Sequence, residues 1–285
     1  MRLAAAAHPA KTDLPWISIA WFGALLGVCF APVLQAMAVQ WWVNPDMGHA
    51  WFVPIVSGYI VWQKRFELAA MSPQPCWWGL VLVILGGCQL IGATLGVELF
   101  VARTAVVEMV IGVVWFLGGT AILKKLAFPL FLLFFIVPIP TIVYTRITFP
   151  LQIKASQLAE WGLDVINIPV VREGNVLELP RHRLAVVEAC SGIRSLLTLT
   201  YLSLVFGYFF EPKKWIRVLL FLGTIPVAIA ANGGRVAITG ILTQLKPEWS
   251  EGFFHESTGL VTFFVAALML ISFHWIVVRI SRRRS

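Results

Sequence analysis

Three side chains of this chain have the types and positions to do covalent chemistry together, Cys190, Arg235 and His255, with Arg194 placed to support the first. Cys190 stands in Val186-Val187-Glu188-Ala189-Cys190-Ser191-Gly192-Ile193-Arg194-Ser195, where a polar stretch gives way to a long apolar run. That junction predicts a thiol at the N-terminal end of a membrane helix, where unpaired N–H groups and the helix dipole favour negative charge. Both lower a cysteine pKa, and the thiolate is the nucleophile. Arg194, one turn on and on the same face, pushes the same way, and Glu188 is placed to pair with it. The N–H groups of Ser191 and Gly192 would face an oxygen developing charge beside the sulfur, and Gly192 lets a substrate backbone come close. The chemistry this predicts is acyl transfer through a cysteine. The competing reading is that Cys190 is a small buried hydrophobe, as cysteines in apolar proteins commonly are.

The elements that must position these groups are apolar runs. Of 285 residues, 59% are hydrophobic and only 13% charged, with mean hydropathy +0.84. Soluble domains carry about a quarter charged residues, so the composition predicts an all-α, polytopic membrane protein. The runs suggest about eight spans: Trp16–Val39, Met47–Gln63, Trp77–Leu95, Thr104–Leu123, Leu126–Tyr144, Cys190–Phe210, Val218–Leu242 and Thr258–Ile280. The first is too long for an ordinary signal peptide and reads as an uncleaved anchor, despite Ala36-Met37-Ala38. Residues 145–189 form the one substantial polar loop. Its first part, with Leu151, Ile153, Leu158, Trp161 and Leu163 among Lys154, Glu160 and Asp164, reads as an amphipathic interfacial helix. Its second part reads as short extended pieces around Gly174-Asn175. No internal repeat or disordered linker is evident, so residues 1–285 read as a single membrane domain.

Eight spans put both ends on one side, and the basic residues choose the side. Thirteen Lys and Arg (positions 2, 11, 64, 65, 124, 125, 213, 214, 217, 279, 282, 283 and 284) fall on one face, and seven (103, 146, 154, 172, 181, 183 and 246) on the other. The richer face is cytoplasmic by the positive-inside rule, which places both termini inside and the 145–189 loop outside. Such clustering at segment ends accounts for the net charge of +8 without nucleic acid. Four cysteines with no Cys-x-x-Cys and no zinc-like Cys/His spacing predict no metal site, no cofactor and no disulfide partner for Cys190 on its own side.

Topology then brings the chemistry together. Cys190 opens the sixth span at the outer face, Arg235 lies about 10 Å below the outer end of the seventh, and His255 precedes Ser257-Thr258, a plausible N-cap of the eighth. An arginine within a membrane span is costly and marks a functional site by default. Asn232, one turn before Arg235, is placed to steady it. Glu98, Arg103 and Glu108 do not share a helix face and read as structural.

Ala189-Cys190-Ser191-Gly192-Ile193-Arg194-Ser195, Asn232-Gly233-Gly234-Arg235-Val236 and His255, in this order on successive helices, resemble the exosortases and the related archaeosortases. Weaker similarity covers 44–65, Pro138-Ile139-Pro140, Pro150-Leu151-Gln152 and 173–180, and so most of the chain. The resemblance implies a cysteine transpeptidase of the bacterial inner membrane with its active site on the periplasmic face. Cys190 resembles the nucleophile, Arg235 the essential arginine and His255 the third active-site residue. Implied substrates are exported proteins whose C-terminal sorting tags carry a Pro-Glu-Pro-like motif, an apolar helix and a basic tail. The acyl group would pass to an acceptor in the cell envelope. With nothing folded expected after Arg282-Arg283-Arg284, the chain reads as a stand-alone enzyme. The alternative from another class is a non-enzymatic component of envelope polysaccharide transport or assembly, which proline-broken helices and an intramembrane Arg would suit. It gives the outer-face thiol no role. A membrane O-acyltransferase would want a His-centred site and has no need of the thiol either.

Overall fold

The computed structural model describes residues 16–180, 182–186, 192–245 and 252–283. It is 83% helical, as a polytopic all-α protein requires, and divides into two compact units, Met1–Pro138 and Ile139–Ser285. Among the described residues, four helices are long and apolar enough to cross a membrane, or five if the bent pair at the N-terminus counts as one span.

In the first unit, the expected opening span is two helices, α1 (Trp16–Cys29) and α2 (Ala31–Val43), bent by 77° at Phe30. Pro32 in the first turn of α2 is the cause: it lacks an N–H and its ring cannot sit behind the carbonyl of a continuous helix. The expected second span shrinks to α3 (Phe52–Gln63), because Pro45–Met47 forms a 3-10 turn before it. The five-residue α4 (Arg65–Ala69) follows. Next, α5 (Trp77–Leu95) occupies the expected third span residue for residue.

The turn expected at Lys124-Lys125 is elsewhere. Helix α6 (Leu99–Leu132) runs through both lysines and is broken at Gly119, whose φ of +79° and ψ of 178° suit glycine alone. A Cβ there would overlap the carbonyl oxygen of Gln74. Val110, Ile111 and Val114, before the break, pack on the same cluster as Leu126 and Leu130, after it. A straight helix of this length would span about 50 Å and hold those groups far apart, so α6 doubles back at Gly118-Gly119. Lys125 pairs with Glu67, and Lys64 Nζ donates to the Lys125 carbonyl at 2.8 Å. The expected fifth span ends at a 3-10 turn, Leu133–Ile136, before Pro138 and Pro140.

The second unit opens with α7 (Thr141–Val165), a single helix that takes in the last residues of the expected fifth span and runs on through the expected interfacial helix. A three-stranded antiparallel sheet follows: β1 (Val171–Glu173), β2 (Val176–Leu179) and β3 (His182–Ala185), in that order. Gly174, with φ +64°, takes the first central position of the β1–β2 hairpin, where a type II′ turn asks for positive φ. The sheet docks on α7 through Arg172–Glu160 (2.6 Å), Ser156 Oγ to the Gly174 carbonyl (3.0 Å) and Asn175 Nδ2 to Gln152 Oε1 (3.1 Å). Between them lies an apolar cluster of Ala159, Leu163, Leu177, Leu179, Leu184, Val186 and Val236.

Three long helices complete this unit: α8 (Gly192–Phe210), α9 (Lys214–Leu245) and α10 (Gly252–Arg283). Their shared core is Leu199, Val227, Ala228, Ala231 and Ala266, with Leu196 and Phe263 against it. Ser257-Thr258 is not an N-cap, as expected from sequence, because α10 begins five residues earlier and no proline interrupts the intervening turn.

Candidate active site

Arg235 sits on α9, whose two faces at this level differ. Val236 is fully buried in the cluster beneath the sheet, and a Cβ on Gly233 would come within 2.7–3.0 Å of the Leu158 side chain on α7. Glycine at 233 is what lets α7 and α9 come this close. Gly240, two turns on, lies over Leu163 in the same way. This packing fixes the rotation of α9 about its axis. It turns Gly234 outward, where nothing lies within 4 Å of a Cβ position.

The guanidinium of Arg235 is half-buried and lies on α10. A Cβ built on Gly259 would be 3.3 Å from its Nη2 and 3.4 Å from its Cζ. A Cβ at 259 would be in tight contact with the cation, which would have to shift slightly. Gly259 is four residues after His255, one turn along the same helix and the same face. The arginine therefore rests against the face of α10 that carries His255 one turn up. Helix α9 runs to Leu245, three residues past the expected end, so Arg235 lies about 15 Å from that end rather than 10 Å.

Asn232 is buried, with 4% of its surface exposed, and its amide nitrogen has no hydrogen-bond partner among the described residues. Arg194 lies in the first turn of α8 and is exposed. Gly192 is the first residue of that helix, and His255 belongs to the first turn of α10. Cys190, Ser191 and Glu188 lie outside the described residues. What sequence reading missed is Gly259. Its signal was present, a glycine one turn from a candidate histidine, but its meaning depends on a partner from another helix. Arg103, read as structural, is buried in α6, and its Nε has no hydrogen-bond partner among the described residues. Glu98 caps α6 by accepting from the Val101 N–H at 3.0 Å. No group of three metal-ligating side chains occurs among the described residues.

The arrangement holds a cation of α9 against α10, which suits stabilisation of a negative oxygen. No curated protein and no solved structure matches the chain. Residues 41–272 match the sequence profile of transmembrane exosortases, from the end of α2 through most of α10. The match takes in positions 190, 235 and 255 alike, and with apolar helices enough for a multi-pass membrane protein, the chain belongs to the transmembrane exosortase family, membrane-embedded transpeptidases that act on exported proteins.

Proposed function

We propose that this exosortase is a cysteine transpeptidase that removes C-terminal sorting tags, each a Pro-Glu-Pro-like motif, an apolar helix and a basic tail. The observation that carries the reading is the Arg235 guanidinium seated on Gly259, one turn from His255, in a chain of this family. The substrate's apolar tail lies in the bilayer beside α8–α10 and presents its motif at the outer interface. The Cys190 thiolate adds to the scissile carbonyl, forming a C–S bond and an oxyanion. Arg235 and the N–H groups of Ser191 and Gly192 stabilise that oxygen. Its collapse breaks the C–N bond, and His255 supplies the proton that the departing amine needs. The basic tail peptide leaves and a thioester remains on Cys190. An envelope amine or hydroxyl, giving its proton to His255, then takes the acyl group and frees the thiol. Water in that role gives plain proteolysis. Arg194 and Glu188 shape the field at the thiol, and Asn232 supports Arg235.

The topology of this reading places the enzyme in the bacterial inner membrane, with both termini cytoplasmic and the 145–189 loop periplasmic. Its eight crossings count α1–α2 as one span, α3, α5, the two limbs of α6 on either side of Gly119, and α8, α9 and α10. The deciding experiment co-expresses the enzyme with a secreted reporter ending in such a tag. The parent should shorten the reporter, and C190A should leave it full-length while inserting normally. Undiminished processing by C190A would rule the mechanism out.

A further inference from the structure

At the other end of α8–α10 lies a polar cluster that the proposed reaction does not use. Glu211, in the turn between α8 and α9, has 5% of its surface exposed. Its carboxylate accepts from the Lys213 N–H at 2.9 Å and meets Nε2 of His274, on α10, at 3.0 Å. Arg217 of α9 donates Nε to the Glu211 carbonyl at 2.6 Å. Lys213 Nζ donates to Ser281 Oγ of α10 at 2.9 Å, and Phe206 of α8 stands edge-on to the His274 ring at 5.1 Å. One residue therefore joins three helices at one height.

Such a cluster has a mechanical meaning in lipid. Apolar faces give little resistance to axial sliding, because acyl chains are as apolar as the faces themselves. A buried carboxylate with matched donors resists it, since any shift leaves a charge without partners. The spacing shows what height is being set. Gly192 and Glu211 are nineteen residues apart, and so are His255 and His274. Both intervals are helix without proline, and the Glu211 N–H still bonds to the Gly207 carbonyl at 3.3 Å. Each interval is thus a rod of about 28 Å. The two rods run in the same direction and pack through Leu196, Leu199, Phe263 and Ala266. Levelling Glu211 with His274 at one end levels the first residue of α8 with the backbone of His255 at the other. Cys190 precedes Gly192 by two residues in sequence.

We infer that Glu211 and His274 are positioning residues: a register clasp that sets the height of His255 against the start of α8. The geometry is independent of the function, but the consequence for catalysis rests on the transfer reaction proposed above.

The test has two arms on the full-length enzyme. The first carries nitroxide labels at positions 197 on α8 and 260 on α10, in a background without other cysteines, and measures their separation by pulsed electron paramagnetic resonance. His274→Phe keeps a ring but removes the donor, and should shift or broaden the separation by several ångströms, up to about one helical turn. His274→Gln keeps an N–H for Glu211 and should restore the parent distance. The second arm follows cleavage of the tagged reporter by the unlabelled enzyme. His274→Phe should lower kcat about ten- to hundredfold with KM within about twofold, and His274→Gln should recover most of kcat. Should His274→Phe not fold, Glu211→Gln, which keeps shape and removes the charge, takes both arms. Unchanged distance, or a changed distance with unchanged kcat, overturns the inference. A parent that never cleaves the reporter defeats the proposed function instead. The distances alone then decide the clasp: a shift supports it and no shift overturns it.

Discussion

Glu211, Lys213, Arg217, His274 and Ser281 are joined to one another at one end of α8–α10. Around Arg235, toward the other, Asn232 is buried with its amide nitrogen open among the described residues, and Gly234 faces empty space. Buried polar groups that are fully matched resist movement, whereas an open buried donor costs about 1–3 kcal/mol until something accepts from it. Movement at the matched end breaks these bonds, and the Arg235 end carries the groups proposed for catalysis. Substitutions at the two ends should therefore differ in kind, with catalytic losses at one and losses of stability or register at the other.

The largest effect belongs to the proposed catalytic groups. C190A should reduce tag cleavage at least about a thousandfold, to background, with normal membrane yield, measured by immunoblot of the reporter. R235K comes next: a point charge in place of a planar fork should cost about a hundredfold in kcat with little change in thermal midpoint. Away from both ends, Gly119→Ala must strain the reversal of α6 and meet the Gln74 carbonyl. It should lower stability by about 3 kcal/mol, read as a reduced unfolding temperature in detergent, without altering the pH dependence of whatever activity remains.

A smaller effect is expected from acid at the matched end. Burial alone would raise the Glu211 carboxyl, but hydrogen bonds from the Lys213 N–H and His274, and the charges of both, outweigh it and hold the group below its ordinary 4.5. A depressed carboxylate stabilises the fold fully above its unfolded pKa, and that contribution is lost as pH falls through the folded value. Thermal midpoints of the parent should therefore drop on acidification below about pH 4.5, and E211Q should show a lower midpoint near neutrality with a flatter acid limb. The smallest contrast is between adjacent glycines. Gly233→Ala should destabilise by about 1–3 kcal/mol against Leu158, whereas Gly234→Ala should be neutral or stabilising by up to about 1 kcal/mol. Equal effects at the two positions would contradict the orientation of α9.

Hydropathy read well where an apolar run is also a straight helix. Helix α5 has the bounds that composition alone suggests, and the Gly174-Asn175 turn sits between its strands. It read poorly where the chain bends inside lipid. Residues 16–43 are apolar on both sides of Phe30, so nothing in their polarity reports the 77° bend there. The Lys124-Lys125 pair looks like a loop because charges normally mark one, yet the reversal occurs at Gly119, where backbone freedom decides. The candidate residues were chosen by type, since an arginine inside an apolar helix is conspicuous. That Arg235 rests on Gly259 was not, because the contact joins residues from two helices. The Glu211–His274 pair was hidden for the same reason, its members being sixty-three residues apart.

Helix α10 has 32 residues and is about 48 Å long, against a hydrocarbon layer of about 30 Å. Roughly 18 Å must tilt away or overhang. In the topology proposed above, arginines 279, 282 and 283 snorkel to the headgroups at one end, which leaves the opening turn of α10 to the headgroup region at the other. On that proposal, protons handled by His255 exchange with the bulk phase between turnovers, without a relay through the bilayer interior.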